Sequence, residues 1–346
     1  MKKKARTLII LGAVLVVCIG AYIGVSVYNN AQAQKTADET KAAQIWSDGR
    51  GDPASIAYTA GDKTLSFTLE DGKWYVTDDR DFPLQQASLT NLATTVGSLS
   101  AVRTIDISSP LSVYGLDKPA YTVTAADAGG NTLTLLIGAE NGGNYYAMAK
   151  DGNKIYTISD ALVGDLKTDY LDMIALETIH SLSSTNVSAI TVTAGGRSLK
   201  LDKHQNKDST YTWFIVDGDT YTTADEFTTA ATTDQSPQKY IDNAVTGLSS
   251  VSFSSCAAFK PTADDLKKFG LDAPQLTVNV DYADTTGTGT LDQATTTGTV
   301  SLLIGAALDD GSGYYAMLPG SSQVNVLPAT AVTPLTDALA ALGSGK

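Results

Sequence analysis

Tyr114-Gly115-Leu116-Asp117-Lys118-Pro119 returns later in the chain as Phe269-Gly270-Leu271-Asp272-Ala273-Pro274. On either side, other blocks recur in the same order. Leu135-Leu136-Ile137-Gly138-Ala139 returns as Leu302-Leu303-Ile304-Gly305-Ala306, and Tyr145-Tyr146-Ala147-Met148 as Tyr314-Tyr315-Ala316-Met317. Upstream, Thr59-Ala60-Gly61 matches Thr193-Ala194-Gly195, Trp74 matches Trp213, and Gly97-Ser98-Leu99-Ser100 matches Gly247-Leu248-Ser249-Ser250. The spacing changes only where the second copy carries extra residues: before Trp213, between Trp213 and Pro237, and in a Thr/Gly-rich stretch near 284–298. An ordered series of matching blocks is the mark of a duplicated unit. The chain therefore reads as two tandem homologous domains, residues 51–170 and 181–346, joined by a linker at 171–180.

Each copy alternates strand patterns with short helices. Ile56–Thr59 and Thr64–Leu69 alternate apolar and polar residues across Gly61-Asp62, a hairpin signature, and Lys73–Val76 follows the turn pair Asp71-Gly72. Leu84, Leu89, Leu92, Val96 and Leu99 fall at near-helical spacing, and Val102–Ile105 returns to strand. Ser109-Pro110 predicts a short helical turn with Ser109 as N-cap, stopped by Gly115 as a left-handed cap. In the second copy Thr262 and Asp265 approximate a capping box, and Gly270 repeats the stop. Strands at about 120–126, 131–137, 144–149 and 153–157 precede a helix near 159–167. The expected fold is α+β, mainly antiparallel, twice over, after an N-terminal transmembrane helix.

That helix is expected over residues 7–28, an apolar run without a charged side chain. About 22 residues at 1.5 Å each span about 33 Å, the thickness of a hydrocarbon core. Residues 1–6 hold Lys2, Lys3, Lys4 and Arg6, which places this tail in the cytoplasm and the rest outside. Cleavage after the small-x-small site Ala31-Gln32-Ala33 is the alternative, against which the length of the run counts. Residues 29–50 read as a polar stalk. The chain of 346 residues has 24 Lys and Arg against 37 Asp and Glu, a formal net charge of −13, and the basic tail leaves the remainder more acidic still. Such a body lacks the cations that neutralise phosphate, so nucleic-acid binding is excluded. With Cys18 in the apolar run, Cys256 stands alone outside it, and neither an intramolecular disulfide nor a cysteine metal cluster is expected.

Little in the sequence points to catalysis. His180 lies at the domain junction and His204 in a polar insertion, neither in the context of a nucleophilic triad. Five of the Asp residues sit in Asp-Gly turn pairs (Asp48, Asp71, Asp151, Asp217 and Asp310), where the carboxylate bonds its own backbone. Asp117 and Asp272, the clearest acids shared by both copies, are read as turn acceptors. Asp78-Asp79-Arg80-Asp81 and Asp309-Asp310 do not match a calcium loop. No catalytic residue, cofactor or metal is therefore expected. Tyr145, Tyr146, Tyr314 and Tyr315 are the candidate partner-binding residues, because adjacent strand residues face opposite ways and one ring of each pair is then open to a partner.

The Asp71-Gly72-Lys73-Trp74-Tyr75-Val76 opening, the Tyr114–Pro119 block and Gly138 with Tyr145-Tyr146-Ala147 are similar to the bacterial domain-of-unknown-function family number 4340. The second copy departs from that pattern at Phe269 and Ala273 and lacks an Asp-Gly-Lys before Trp213. Members of the family are typically membrane-anchored ectodomains, often encoded beside gliding-type ABC exporter subunits, and no catalytic residues are established for it. The resemblance thus implies a bacterial cell-envelope protein with an ABC-type export or envelope complex as partner. The expected function is a non-enzymatic, membrane-anchored, extracytoplasmic binding or scaffold protein. A cell-wall or polysaccharide binding module is the alternative, and a carboxylate-dependent hydrolase with an inter-domain site the second.

Overall fold

The computed structural model describes residues 25–29, 43–46, 49–227, 236–286 and 294–345. Most of the expected transmembrane segment 7–28 lies outside the described residues, although 25–29 are helical. Among the described residues no helix is long and apolar enough to cross a membrane. The chain divides into two compact units at Thr168/Asp169.

In the first unit β1 (Pro53–Ala60), β2 (Lys63–Glu70) and β3 (Lys73–Val76) form an antiparallel meander. Helix α1 (Gln86–Gly97) then leads to β4 (Arg103–Asp106). A 3-10 turn at Leu111–Tyr114 precedes β5 (Tyr121–Asp127), β6 (Thr132–Asn141), β7 (Asn144–Ala149), β8 (Lys154–Ser159) and α2 (Ala161–Leu166). The sheet order is β3-β2-β1-β5-β6-β7-β8-β4. The chain therefore crosses the whole sheet through α1, from one edge to the other, and returns through the 3-10 turn to its centre. Leu89, Leu92 and Val96, a stripe at i, i+3 and i+7, are the buried residues of α1. The Gln86 side chain fastens the start of α1 to β3, accepting from Trp74 N at 2.7 Å and donating to Trp74 O at 3.0 Å.

The second unit repeats this plan with β9 (Val187–Ala194), β10 (Arg197–Gln205), β11 (Tyr211–Asp217), β12 (Thr220–Thr223), α3 (Pro237–Ser249) and β13 (Ser255–Phe259). It continues with α4 (Ala263–Lys268), β14 (Leu276–Thr286), β15 (Ala294–Ala307), β16 (Gly313–Met317), β17 (Gln323–Pro328) and α5 (Ala329–Leu342). The order β12-β11-β10-β9-β14-β15-β16-β17-β13 is that of the first unit with β12 added at one edge. The extra residues after Trp213 supply that strand, and those near 284–298 lengthen the β14–β15 hairpin. On one face α3 and α5 close over the main core, which includes Ile190, Leu201, Val278, Leu302 and Leu335. On the opposite face Phe269, Leu271 and Val324 form a satellite core with Tyr315 and Met317 packed against it. Its counterpart in the first unit is Tyr114, Leu116, Met148 and Ile155 with Tyr146.

Four expectations are corrected, the first being the polar stalk at 29–50: its residues 43–46 pack onto the first unit, where Ile45 N donates to Leu99 O at 2.8 Å and Trp46 is buried. Pro110, not Ser109, is the N-cap of the 3-10 turn, and no side chain caps it. Asp117 and Asp272 accept no side-chain hydrogen bond among the described residues. Backbone groups close the stop instead: Leu116 N donates to Leu111 O at 3.0 Å and Leu271 N to Leu266 O at 2.8 Å. The capping box at Thr262 and Asp265 is present, and Gly115 and Gly270 are both left-handed at φ 67°. Residues 171–180, expected as a linker, pack into the second unit. Ile179 joins its core, and Gln323 Nε2 donates to Ala175 O at 3.1 Å.

The repeated blocks meet in space. A Cβ on Gly138 would strike the carbonyl of Tyr114, and one on Gly115 the backbone of Ala139. The same holds for Gly305 against Phe269 and for Gly270 against Ala306, where Ala306 N donates to Phe269 O at 2.8 Å. Gly305→Ala should cost about 1–3 kcal/mol, the usual range for forced overpacking. Gly164→Ala, in open helical space, should be neutral or mildly stabilising. Equilibrium denaturation of both variants checks the contrast.

Asp127 ties the entry of β1 to the β5–β6 turn. It accepts from Asn131 Nδ2, Gly51 N and Asn131 N, each at 2.9 Å. These bonds, the Asn131 side chain foremost, hold its carboxyl at about 2. A depressed folded-state value contributes stability above the unfolded value of about 3.9, and that stability is lost as pH falls through about 2. Asp127→Asn should flatten the acid limb of the unfolding profile between those values, as read by thermal melts at stepped pH.

Candidate functional site in the second unit

Helix α5 forms because Ala331, Val332, Leu335, Ala338, Leu339 and Leu342 fall on one buried stripe. It packs against α3 where Gly247 leaves room for Pro334, so the proline inside α5 seats in the neighbouring helix surface. Its other flank roofs a trough of about 570 Å³, floored by the ends of strands. In sheet order these ends are Arg197 of β10, Ala194 of β9, Leu276 of β14, Ile304 of β15 and Tyr314 of β16. Four strand spacings separate Arg197 from Tyr314, about 19 Å. The roof residues include Val332, Thr336 and Leu339.

The charged group stands at one end. Arg197 Nη2 donates to Ala340 O at 3.2 Å and Gly343 O at 2.9 Å, closing the C-terminus of α5, where a cation also meets the negative end of the helix dipole. Its Nε and Nη1 have no partner among the described residues. Gln275 precedes β14, the middle strand of the five, two strand positions from Arg197. A second cavity, of about 380 Å³, adjoins Arg197 on its other side.

The trough belongs to the second copy. Tyr145 pairs with Ile158 as Tyr314 pairs with Leu327, so α2 and α5 start from equivalent points. Helix α2 stops after 6 residues whereas α5 runs for 14. Thr336, Leu339 and Ala340 therefore have no helical counterpart in the first unit, and Lys63 stands where the second copy has Arg197.

The four candidate tyrosines are all half-buried. Tyr146 meets Tyr114 edge-on at 5.1 Å, and Tyr315 meets Phe269 at 4.5 Å, so both serve the satellite cores. Tyr314 packs against the main core and also lines the trough. Tyr145 faces the same side as Tyr314 in its own unit. The structure brings Tyr314 alone of the four to a cavity described here.

Two polar clusters escaped the sequence reading. His180 stacks on Tyr282 with centroids 3.8 Å apart, and its Nε2 lies 2.8 Å from Asp284 Oδ2. The Asn186 amide donates to the other oxygen at 2.8 Å and, ahead of His180, lowers the Asp284 pKa. The lengthened β14–β15 hairpin is what carries Tyr282 and Asp284 to His180. His204, likewise, sits against Phe214 and Tyr221 at 5.0 and 5.3 Å.

The second cluster surrounds β17. Ser321 Oγ and Asn325 Nδ2 donate to the two Glu177 oxygens at 2.7 and 3.4 Å. Asn325 Oδ1 and Gln323 Oε1 are buried without a donor among the described residues, an arrangement that costs about 1–3 kcal/mol per group. Cys256 is the strand partner of Asn325. Burial, with the Glu177 charge adding to it, pushes the thiol up to about 11. The neutral thiol is a poor nucleophile.

Arg80 and Asp310, one residue from each acid run, make local structural contacts. Arg80 forms a bidentate pair with Glu70, both bonds 2.7 Å, over the Tyr75 ring at 4.4 Å. Asp310 accepts from Ser312 N at 2.9 Å in the turn containing Gly311. Among the described residues no group of three or more His, Cys, Asp or Glu is placed to hold a metal ion.

Cys256 should resist iodoacetamide at pH 8 and react appreciably only above about pH 10, given a thiol held near 11. Peptide-resolved mass spectrometry of the native chain, with the denatured chain as reference, checks this.

The family model described as Domain of unknown function (DUF4340) matches residues 74–263 and again residues 237–341. The chain belongs to that family, and the double match accords with its tandem repeat. No curated protein and no solved structure matches it.

Proposed function

We propose that this DUF4340 member is a non-enzymatic, membrane-anchored, extracytoplasmic binding protein whose second repeat carries the binding surface. The observation that carries the reading is the asymmetry of the duplication. Both copies keep the sheet, the crossover and the glycine contacts, and the second alone extends its last helix into a roofed trough. A trough of about 570 Å³ falls within the range of small-molecule sites, which are mostly apolar with a few placed polar groups. The glycine and tyrosine blocks that recur are used in packing, which suits a scaffold.

The anchor is residues 7–28, orienting the basic tail inward and both repeats outward. The partner is an envelope or membrane protein, and the family resemblance favours an ABC-type exporter. Purification of the full chain from its host in mild detergent should recover transporter subunits in stoichiometric amounts by mass spectrometry. Recovery of the protein alone would remove the exporter from this reading. Replacing Val14 and Val17 by Arg places two charges in the apolar run, each costing about 2.5–3.5 kcal/mol at a helix centre. The variant should leave the membrane fraction, and unchanged fractionation would refute the anchor.

A further inference from the structure

We infer that the polar cluster on β17 is a calcium site, built from the Glu177 carboxylate and the amide oxygens of Asn325 and Gln323. It lies within the second unit and depends neither on the trough nor on the envelope partner.

Ser321, Gln323 and Asn325 alternate along the chain, and residues two apart in a strand share a face. Residues 175–177 cover that face. Gln323 Nε2 donates to Ala175 O at 3.1 Å, Ser321 Oγ to Glu177 Oε1 at 2.7 Å and Asn325 Nδ2 to Glu177 Oε2 at 3.4 Å. The cross-strand neighbours of Asn325 are Ala316 and Cys256, so no bulky partner crowds the amide.

Gln323 is 3% exposed and Asn325 0%, and among the described residues Gln323 Oε1 and Asn325 Oδ1 have no donor. Turning the amides over gives no relief. A flip would aim Asn325 Oδ1 at the Glu177 carboxylate and Gln323 Oε1 at the Ala175 carbonyl, acceptor against acceptor. Both oxygens are thus fixed as acceptors beside a carboxylate that has no ion-pair partner among the described residues. A bridging water satisfies two acceptors and leaves the charge unanswered. A cation answers both.

The donor set selects the cation. A carboxylate and amide carbonyls are ligands of Ca²⁺, which takes about 6–8 oxygens in flexible geometry and completes its shell with water. Glu177 is half-buried, so water reaches its outer side. Mg²⁺ demands near-ideal octahedral geometry, which two amides held by their own hydrogen bonds are poorly placed to meet. A soft metal would need the neighbouring thiolate, but Cys256 Sγ donates to Ala258 O at 3.2 Å and keeps its proton. A single carboxylate makes the site weak, in the range of about 10⁻⁴–10⁻³ M typical of extracellular modules. Such a site fills where calcium is millimolar, which suits repeats that face outward.

The test is thermal unfolding of the full chain in mild detergent after EDTA treatment, titrated with calcium chloride. Sodium and magnesium chloride at matched ionic strength are the controls, and equilibrium dialysis with radioactive calcium reads the affinity. The native melting temperature should rise saturably over about 10⁻⁴–10⁻² M calcium. Glu177→Gln should weaken binding at least about tenfold and melt no lower than the native chain in EDTA, because it sheds an uncompensated charge. Asn325→Asp adds a charged ligand, so it should melt lower in EDTA and bind calcium at least about tenfold more tightly. A merely structural Asn325 would lose stability without that gain. Glu177→Gln keeps an acceptor for Ser321 and remains informative if Asn325→Asp fails to fold.

Absence of a saturable calcium effect on the native chain would overturn the inference and leave the two oxygens to water. A native-like response in folded Glu177→Gln would place calcium on surface acids and overturn it as well. An equal rise with sodium or magnesium chloride would overturn the assignment to calcium.

Discussion

Two backbones that approach within hydrogen-bonding distance leave no room for a side chain between them, and each unit is organised around one such approach. The turn ending at Gly115 lies against Gly138 and Ala139 of β6, and the turn ending at Gly270 against Gly305 and Ala306 of β15. Both strands shift register immediately afterwards, between Ile137 and Glu140 and between Ile304 and Ala307. A bulge bends its strand locally. The turn belongs to the return crossover, which must travel from the edge strand back to the sheet centre. Its docking point therefore fixes where β5 and β14 enter, and with them the register of the meander that follows. The satellite core around Tyr114 or Phe269 then seals the turn to the sheet.

This constraint explains what the duplication kept and where it was free to change. Glycine at the contact admits no substitute, and the aromatic before it must fill the space under the turn, which Tyr114 and Phe269 both do. Nothing comparable restrains the helix after the last strand: its start is fixed by β8 or β17, and in the second unit its longer course ends on β10, where residues 344–345 pair with Arg197 and Ser198. Extension there costs no existing contact. It also creates new surface, because every added turn needs a face to bury, and a helix overhanging strand ends buries part of it and encloses space with the rest.

The legible part of the fold was the part governed by local rules. Hairpins announced themselves through Gly61-Asp62 and Asp71-Gly72, the capping box through Thr262 and Asp265, and the stops through Gly115 and Gly270. The recurrence of the blocks gave the tandem plan without any need for structure. Sequence periodicity could not show that the Tyr114 and Gly138 blocks touch, since a backbone contact leaves no pattern except two glycines. The candidate site was largely hidden. Tyr314 stood out because it recurs, yet recurrence marked packing more than binding. Arg197 carried no motif, and its importance depends on a helix end 143 residues further along the chain. The spacing of Ala331, Leu335, Ala338 and Leu342 was the available signal for the longer helix. His180 resembled a junction residue because its partner Asp284 lies 104 residues away, in an insertion whose length alone reveals nothing about where its tip folds.

Electrostatics at the trough follow from the same architecture. The acidic body opposes an approaching anion, but charges beyond about 8 Å are screened at physiological ionic strength. What an anion meets at close range is a guanidinium partly offset by two helix-end carbonyls. Arg197 is thus a weaker attractor than a free arginine and a better-oriented one. The apolar residues behind it, Leu276, Ile304, Val332 and Leu339, are buried in the main core, so the accessible face of the trough is carried by Arg197, Gln275 and the small residues around them. A cationic ligand at the same place would meet the guanidinium at close range and be repelled by it. Selectivity of this kind arises from the repulsion built into the wrong partner as much as from attraction to the right one. It requires one fixed cation, and the end of α5 is what fixes it.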